Sequence, residues 1–292
     1  MDTTTSSRFL FVSCIAVATV VAAVTILPSS GEGQTSLSGT VAHRDVDYIA
    51  AAEYADNRDK LDIFMPEAAS NVPVVVFFHG GALQRGDKSQ GEGLASQLTP
   101  QGIGVVSANY RLSPTVMHPA HMEDAAAAVA WTKNNIESYG GDPSRMFLSG
   151  HSAGAYLAAL LSLDSSYLSM HKVTLSQIRG TIPISPFLYV EEVAPDRSKT
   201  VWGTDTNVWM QASVKPYVGA HKPPMLLIYA DGDADWRREQ NERLKTQLKA
   251  AGNQDIAAVE IADRDHGTII SAMENDSDPG MKQVAAFIKR HE

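Results

Sequence analysis

The run Gly150-His151-Ser152-Ala153-Gly154 places a serine between two glycines. An apolar strand is expected before it, at Met146–Ser149, and an apolar helix after it, at Ala153–Leu163. A serine at a sharp strand-to-helix turn is held in a strained backbone conformation with its Oγ presented above a sheet. The glycines leave room where side chains would clash. The start of the helix brings free N–H groups and partial positive charge to the same point. This combination suits nucleophilic attack on a carbonyl carbon.

Attack on a carbonyl creates an oxyanion, which needs backbone N–H donors. His79-Gly80-Gly81 directly follows the apolar run Val74–Phe78 and can bring its backbone close to a substrate. One donor is expected from Ala153, the residue after the serine, and the others from the loop that carries Gly80 and Gly81. His79 reads as an organiser of that loop. The serine also needs a base, and the base needs an orienting carboxylate. In one known arrangement these follow the serine as acid, then histidine. Of the histidines that leave room for an acid in between, His291 is penultimate and His221 precedes the last strands. His266 follows the strand Ala257–Ile261 in Asp263-Arg264-Asp265-His266-Gly267 and is the expected base. The acid should follow Met225–Tyr229, where Asp231, Asp233 and Asp235 compete. Spacing to the next helix favours Asp233. A histidine base predicts loss of activity in mild acid.

Those side chains need a rigid frame. Expected strands are Lys60–Met65, Val74–Phe78, Gly104–Ala108, Met146–Ser149, Thr181–Ile184, Met225–Tyr229 and Ala257–Ile261. Most are continuously apolar, as in a parallel sheet buried on both faces. Helices are expected at Glu123–Tyr139, Ala153–Leu163, Arg237–Ala251 and Met281–Arg290. The alternation predicts one α/β layer structure, a mostly parallel sheet with helices on both faces. Residues 185–224 break the rhythm. They contain Phe187, Tyr189, Trp202, Trp209, Met210 and Tyr217, and read as a small lid-like insertion whose aromatics line a pocket.

The 292-residue chain carries 24 basic and 33 acidic side chains, a net charge of −9. With no basic block to offset this, nucleic acid is excluded as an expected partner. The single cysteine, Cys14, falls in the apolar run Phe9–Leu27. The remainder therefore has no disulfide, thiol nucleophile or cysteine metal site, and no metal or organic cofactor is expected. Residues 1–30 read as a signal peptide, cut after Ala23 or Gly33, or as a membrane anchor through 9–27. Either reading sends the domain out of the cytoplasm, periplasmic or secreted. Any membrane contact is expected only through this segment. Residues 31–44 read as a flexible tether and 45–292 as the catalytic domain.

Taken together, His79–Gly81, Arg85-Gly86-Asp87-Lys88, Ala108-Asn109-Tyr110-Arg111-Leu112-Ser113-Pro114, His118–Asp124, Tyr139–Pro143, Gly150–Gly154 and Asp265–Gly267 resemble the α/β-hydrolase superfamily. Within it they resemble the branch of hormone-sensitive-lipase-like carboxylesterases and kynurenine-formamidase-like esterases. The resemblance runs from about Val46 to the C-terminus. It implies the α/β-hydrolase fold, with Ser152 as nucleophile, Asp233 as acid, His266 as base, and Gly80, Gly81 and Ala153 around the oxyanion. Asn109, Tyr110, Arg111 and Asp124 occupy motif positions read as structural. Ala82-Leu83 stands where many members carry Gly-Trp, and Trp236 where an aliphatic residue is common. Ala82, Leu83, His151, Phe187 and Trp236 are the expected substrate contacts. The implied activity is hydrolysis of small carboxylic esters of short-to-medium acyl chains. The alternatives are an arylformamidase or lactonase on the same residues, or a non-catalytic binding protein.

Overall fold

The computed structural model describes Met1 and residues 39–49, 54–196 and 199–292. The apolar run 9–27, Cys14, both cleavage positions and most of the tether lie outside the described residues. Contacts divide the chain into Met1–Gly31 and Glu32–Glu292; the sheet and helices below belong to the second unit. Among the described residues no helix is long and apolar enough to cross a membrane.

Eight strands form one sheet: β1 (Thr40–Asp47), β2 (Lys60–Pro66), β3 (Val72–Phe78), β4 (Gly104–Ala108), β5 (Gly141–His151), β6 (Ile178–Ile184), β7 (Met225–Ala230) and β8 (Ile256–Ile261). Their order is β1-β2-β4-β3-β5-β6-β7-β8. β1 and β2 pair antiparallel, as do β2 and β4, and every other pairing is parallel. β1 begins inside the segment read as tether, so residues 40–44 are sheet. It is an edge strand with alternating burial, and lacks the continuous apolar run that marks the interior strands.

The sheet is covered on both faces because successive strand side chains point to opposite sides. On β3, Val74, Val76 and Phe78 enter one core, with α2 (Ala120–Asn135), α3 (Ala153–Leu163) and α4 (Asp235–Ala250). Val75 and Phe77 enter the other, with α1 (Gly91–Leu98) and α5 (Pro279–His291). α3 is buried at every position. Its glycine sets how close it lies to the sheet: a Cβ on Gly154 would stand 1.9 Å from the Phe78 carbonyl oxygen.

The described residues of the 185–224 stretch include short helical segments, Val190–Val193, Lys199–Trp202 and Thr206–Ala212, packed onto α3. Phe187 stacks on Tyr156 of α3 at 4.6 Å, and the Trp202 ring meets the Phe187 ring edge-on at 5.5 Å. Phe187, Tyr189 and Trp202 are all buried. The expectation of a pocket lined by these aromatics is corrected for these three, which are core. The reason is α3 itself: its outer face is apolar and needs a cover. Trp209 and Tyr217 are half-buried and Met210 exposed.

Candidate active site

Four neighbouring strands each deliver one polar side chain just past their carboxyl ends: Ser152 after β5, Ser185 after β6, Asp233 after β7 and His266 after β8. That is where ligand sites form in parallel α/β sheets. Ser152 occupies φ 54°, ψ −111° at the start of α3, in the positive-φ region that is unfavourable for a residue with a Cβ. Its amide donates to the Ile184 carbonyl at 2.8 Å, which pins the strained turn to β6. A Cβ on Gly150 would lie 2.6 Å from the Phe78 carbonyl oxygen, so the turn needs both of its glycines.

His266 Nε2 lies 2.9 Å from Ser152 Oγ, and its Nδ1 lies 2.7 Å from Asp233 Oδ1. The three residues singled out in the sequence are thus brought together in one chain of hydrogen bonds. Asp233 is buried. Burial alone would raise its pKa, but hydrogen bonds from His266, Ser185 and the Ala230 amide, with the Arg237 charge, outweigh it and hold the carboxyl below the usual range. The other two aspartates have separate jobs. Asp231 accepts from the amides of Asp263 and Arg264, shaping the loop that carries His266. Asp235 begins α4, where a carboxylate is favoured by the helix dipole, and pairs with Arg238 at 2.6 Å.

The oxyanion loop differs from expectation at one residue. The Gly80 amide donates to Gln90 Oε1 at 2.6 Å, so its hydrogen is already taken up within the loop. The amides of Gly81 and Ala82 have no acceptor among the described residues. Ala153 is the first residue of α3, and the first amides of a helix lack intrahelical acceptors. Gly81 has φ +117°, and a Cβ there would fall 2.1 Å from the Arg85 carbonyl oxygen. Ala82 and Leu83 follow at φ 59° and 64°, so Ala82 takes up a backbone conformation that would suit glycine.

His79 organises this loop. Its Nδ1 donates to the Gly80 carbonyl at 2.7 Å, its ring stacks on Tyr110 at 4.3 Å, and the Tyr110 hydroxyl donates to its carbonyl at 2.8 Å. Burial pushes its pKa down to about 4. Asn109 receives the Lys88 amide and donates to Asp87, and Arg111 forks onto Asp124 at 2.7 and 2.8 Å. These motif positions are structural, as read.

Three expected substrate contacts are buried instead. Leu83 and Phe187 have no exposed surface. His151 is buried and donates from Nε2 to the His266 carbonyl at 2.8 Å, and burial pushes its pKa down to about 4. It is a strut that holds the backbone of His266. Ala82 remains partly open, and Trp236 is exposed with the Arg237 guanidinium 4.7 Å from its ring centre. Two supporting residues escaped the sequence reading, Ser185, which donates to Asp233 Oδ2 at 2.6 Å, and Gln90. Ser185 sits at the end of an expected strand in the same sheet, a weak signal. Gln90 has no local signal.

The chain is similar to known proteins along most of its length. Esterase LipQ of Mycobacterium tuberculosis is 26% identical over 215 residues, covering 68% of this chain and 51% of that protein. The isoprenylcysteine alpha-carbonyl methylesterase ICME of Arabidopsis thaliana is 36% identical over 138 residues, 45% of this chain and 32% of that one. The chain thus spans about half the length, or less, of these curated relatives. Esterase B of Lactobacillus rhamnosis shares the fold at a TM-score of 0.70 and 18% identity, over 88% of this chain and 90% of that one. The strand that opens the sheet's central motif, the oxyanion loop, the serine turn and most of α4 all fall within residues 61–248, where the BD-FAE family model matches; the chain belongs to the BD-FAE family.

Proposed function

We propose that this protein is a serine hydrolase of carboxylic esters, with Ser152, His266 and Asp233 as its catalytic triad. The observation that carries the reading is the 2.9 Å and 2.7 Å relay from Ser152 Oγ through His266 to a buried, ionised Asp233. The esterase relatives support it. Ser152 Oγ attacks the ester carbonyl while His266 Nε2 takes its proton. The tetrahedral oxyanion receives the amides of Ala153 and Gly81, with Ala82 beside them. Collapse expels the alcohol, which takes the proton from His266, and leaves an acyl group on Ser152. Water then loses a proton to His266 and attacks the acyl carbonyl. The second collapse releases the acid and returns the proton to Ser152. Asp233 holds the imidazole in the tautomer this requires and stabilises the imidazolium.

Short-to-medium acyl chains are the favoured substrates, delivered to a domain outside the cytoplasm. The test is hydrolysis of p-nitrophenyl acetate, butyrate, octanoate and laurate, run beside Ser152→Ala, with fluorophosphonate labelling read by mass spectrometry. A serine-dependent rate with a chain-length optimum and a label on Ser152 supports the reading. Labelling without ester turnover moves the substrate to formamides or lactones. Absence of both overturns catalysis and favours a binding protein.

A further inference from the structure

Beside the oxyanion loop lies a groove of about 520 Å³ that the ester chemistry itself does not use. Tyr54, Leu112 and Pro114 contribute apolar surface to its lining, which also includes the three arginines Arg58, Arg85 and Arg111. The charge of Arg111 is already matched: it forks onto Asp124, and its guanidinium lies 4.8 Å from the Tyr54 ring centre. Arg58 and Arg85 differ. Among the described residues Arg58, Arg85 and Arg179 are the arginines without a carboxylate partner within 4.0 Å, and two of these three line this one groove. Arg58 is also fixed in place, since its Nη1 donates to the Gly86 carbonyl at 2.9 Å. Among the described residues one acid, Asp56, shares the lining with them. In a chain of net charge −9, two arginines without an ion-pair partner in the lining of one concavity match a carboxylate in chemistry and sign.

The groove is one turn along the chain from the Gly81 and Ala82 amides. The amides of Gln84 and Arg85 both donate to the Gly81 carbonyl, at 3.0 and 3.1 Å, and the Ser113 amide donates to the Leu83 carbonyl at 2.8 Å. One face of residues 81–86 thus offers the free Gly81 and Ala82 amides, and the far end forms the groove wall. We propose that this groove is a substrate subsite for a carboxylate, so that the preferred esters carry an anionic end a short chain away from the scissile bond. This rests on the ester hydrolase reading.

The test compares matched pairs at low salt: monomethyl adipate against methyl hexanoate for the acyl side, and 6-acetoxyhexanoate against hexyl acetate for the alcohol side. Acid release is followed titrimetrically. In at least one pair the anionic ester should show the lower KM, despite the acidity of the protein. That preference should fall about tenfold in Arg58→Gln/Arg85→Gln, and should shrink in 0.5 M salt as the attraction is screened. Arg58→Lys/Arg85→Lys keeps the charges and should retain part of it, which separates loss of charge from damage to the loop. No preference in the wild type, or a preference that survives the double glutamine variant, overturns the proposal. Saturation-transfer NMR with adipate decides the groove without turnover. Adipate signals that vanish in the double variant support it even if the hydrolase reading fails. No signal from the wild-type protein overturns it.

Discussion

Past the carboxyl ends of β5 to β8, polar side chains meet one another within 3 Å, from Ser185 through Asp233 and His266 to Ser152. In the insertion, Phe187 and Trp202 are buried in aromatic contact with each other and with Tyr156 of α3. Both regions hold residue types that invite a functional reading, yet they differ in what the fold asks of them. The strand ends require particular atoms at particular distances, on a backbone strained at Ser152. The insertion requires volume, because α3 is apolar on both sides and the sheet covers only one. A polar relay is therefore specified residue by residue, whereas an aromatic cover is specified only in bulk.

The sharpest way to test this contrast is to remove one side chain from each region. Ser152→Ala should lower kcat by about 10⁴-fold or more, as loss of a triad nucleophile does. Its unfolding midpoint should stay near that of the wild type, because Ser152 Oγ contributes one partly exposed hydrogen bond. Phe187→Ala should do the reverse. Emptying a fully buried aromatic site costs about 3–5 kcal/mol, which in a domain this size lowers the melting temperature by roughly 10 °C. Below that temperature kcat should hold within a few-fold. Paired melting curves and ester kinetics check both variants. A Phe187→Ala protein with an unchanged melting point and a raised KM would make the insertion a pocket wall and erase the distinction.

The same difference explains what could be read from the sequence. The six interior strands were legible because burial on both faces writes a largely apolar run, as in Val74–Phe78, and the edge strand β8 was legible from its own short, mostly apolar run Ile256–Ile261. β1 was not, because Thr40–Asp47 is a half-exposed edge whose alternation includes charged residues. α1 opens with Gly91 and Gly93, poor helix formers, and was missed. Ser152 and His266 were legible because a glycine-flanked serine and a late loop histidine keep a fixed order along the chain. Gly80 was misassigned because the direction of its amide is set by Gln90, ten residues away and across the loop, and no local pattern records that bond. His151 and Leu83 were misassigned because position beside a motif says nothing about which way a side chain points.

Buried histidines give a test that cuts across both regions. Burial pushes His79 and His151, at the site, and His118, beneath the insertion, down to about 4, and His121 to about 3. In the unfolded chain each would titrate near ~6.5. Between these values the unfolded state binds more protons, so stability must fall as pH falls. It is fully present above about 6.5 and is lost progressively toward pH 4. Each histidine adds up to about 1.4 kcal/mol per pH unit to the slope. Urea midpoints at pH 7, 6 and 5 should decline steadily, and His121→Gln should reduce the slope. A midpoint flat over that range would mean that these histidines accept protons in the folded state.

The finest comparison lies within one stretch of five residues. Asp233 and Asp235 are two positions apart, both precede or open α4, and sequence spacing only leaned between them. The structure separates them by environment. Asp233 is enclosed by His266, Ser185, Ala230 and Arg237, whereas the Asp235 side chain is 95% exposed and touches Arg238. Asp233→Asn removes the carboxylate that fixes the imidazole tautomer, and kcat should drop by about 10³- to 10⁴-fold. Asp235→Asn removes an exposed ion pair, a class of interaction that contributes little. Its kcat/KM on the fastest ester should stay within about twofold of wild type, with a melting temperature within about a degree. If Asp235→Asn were the damaging change, the loop after β7 would have to move in the working enzyme so that its acid reached His266 from outside the buried network. Ser185, Ala230 and Arg237 would then be holding a carboxylate with no part in the reaction.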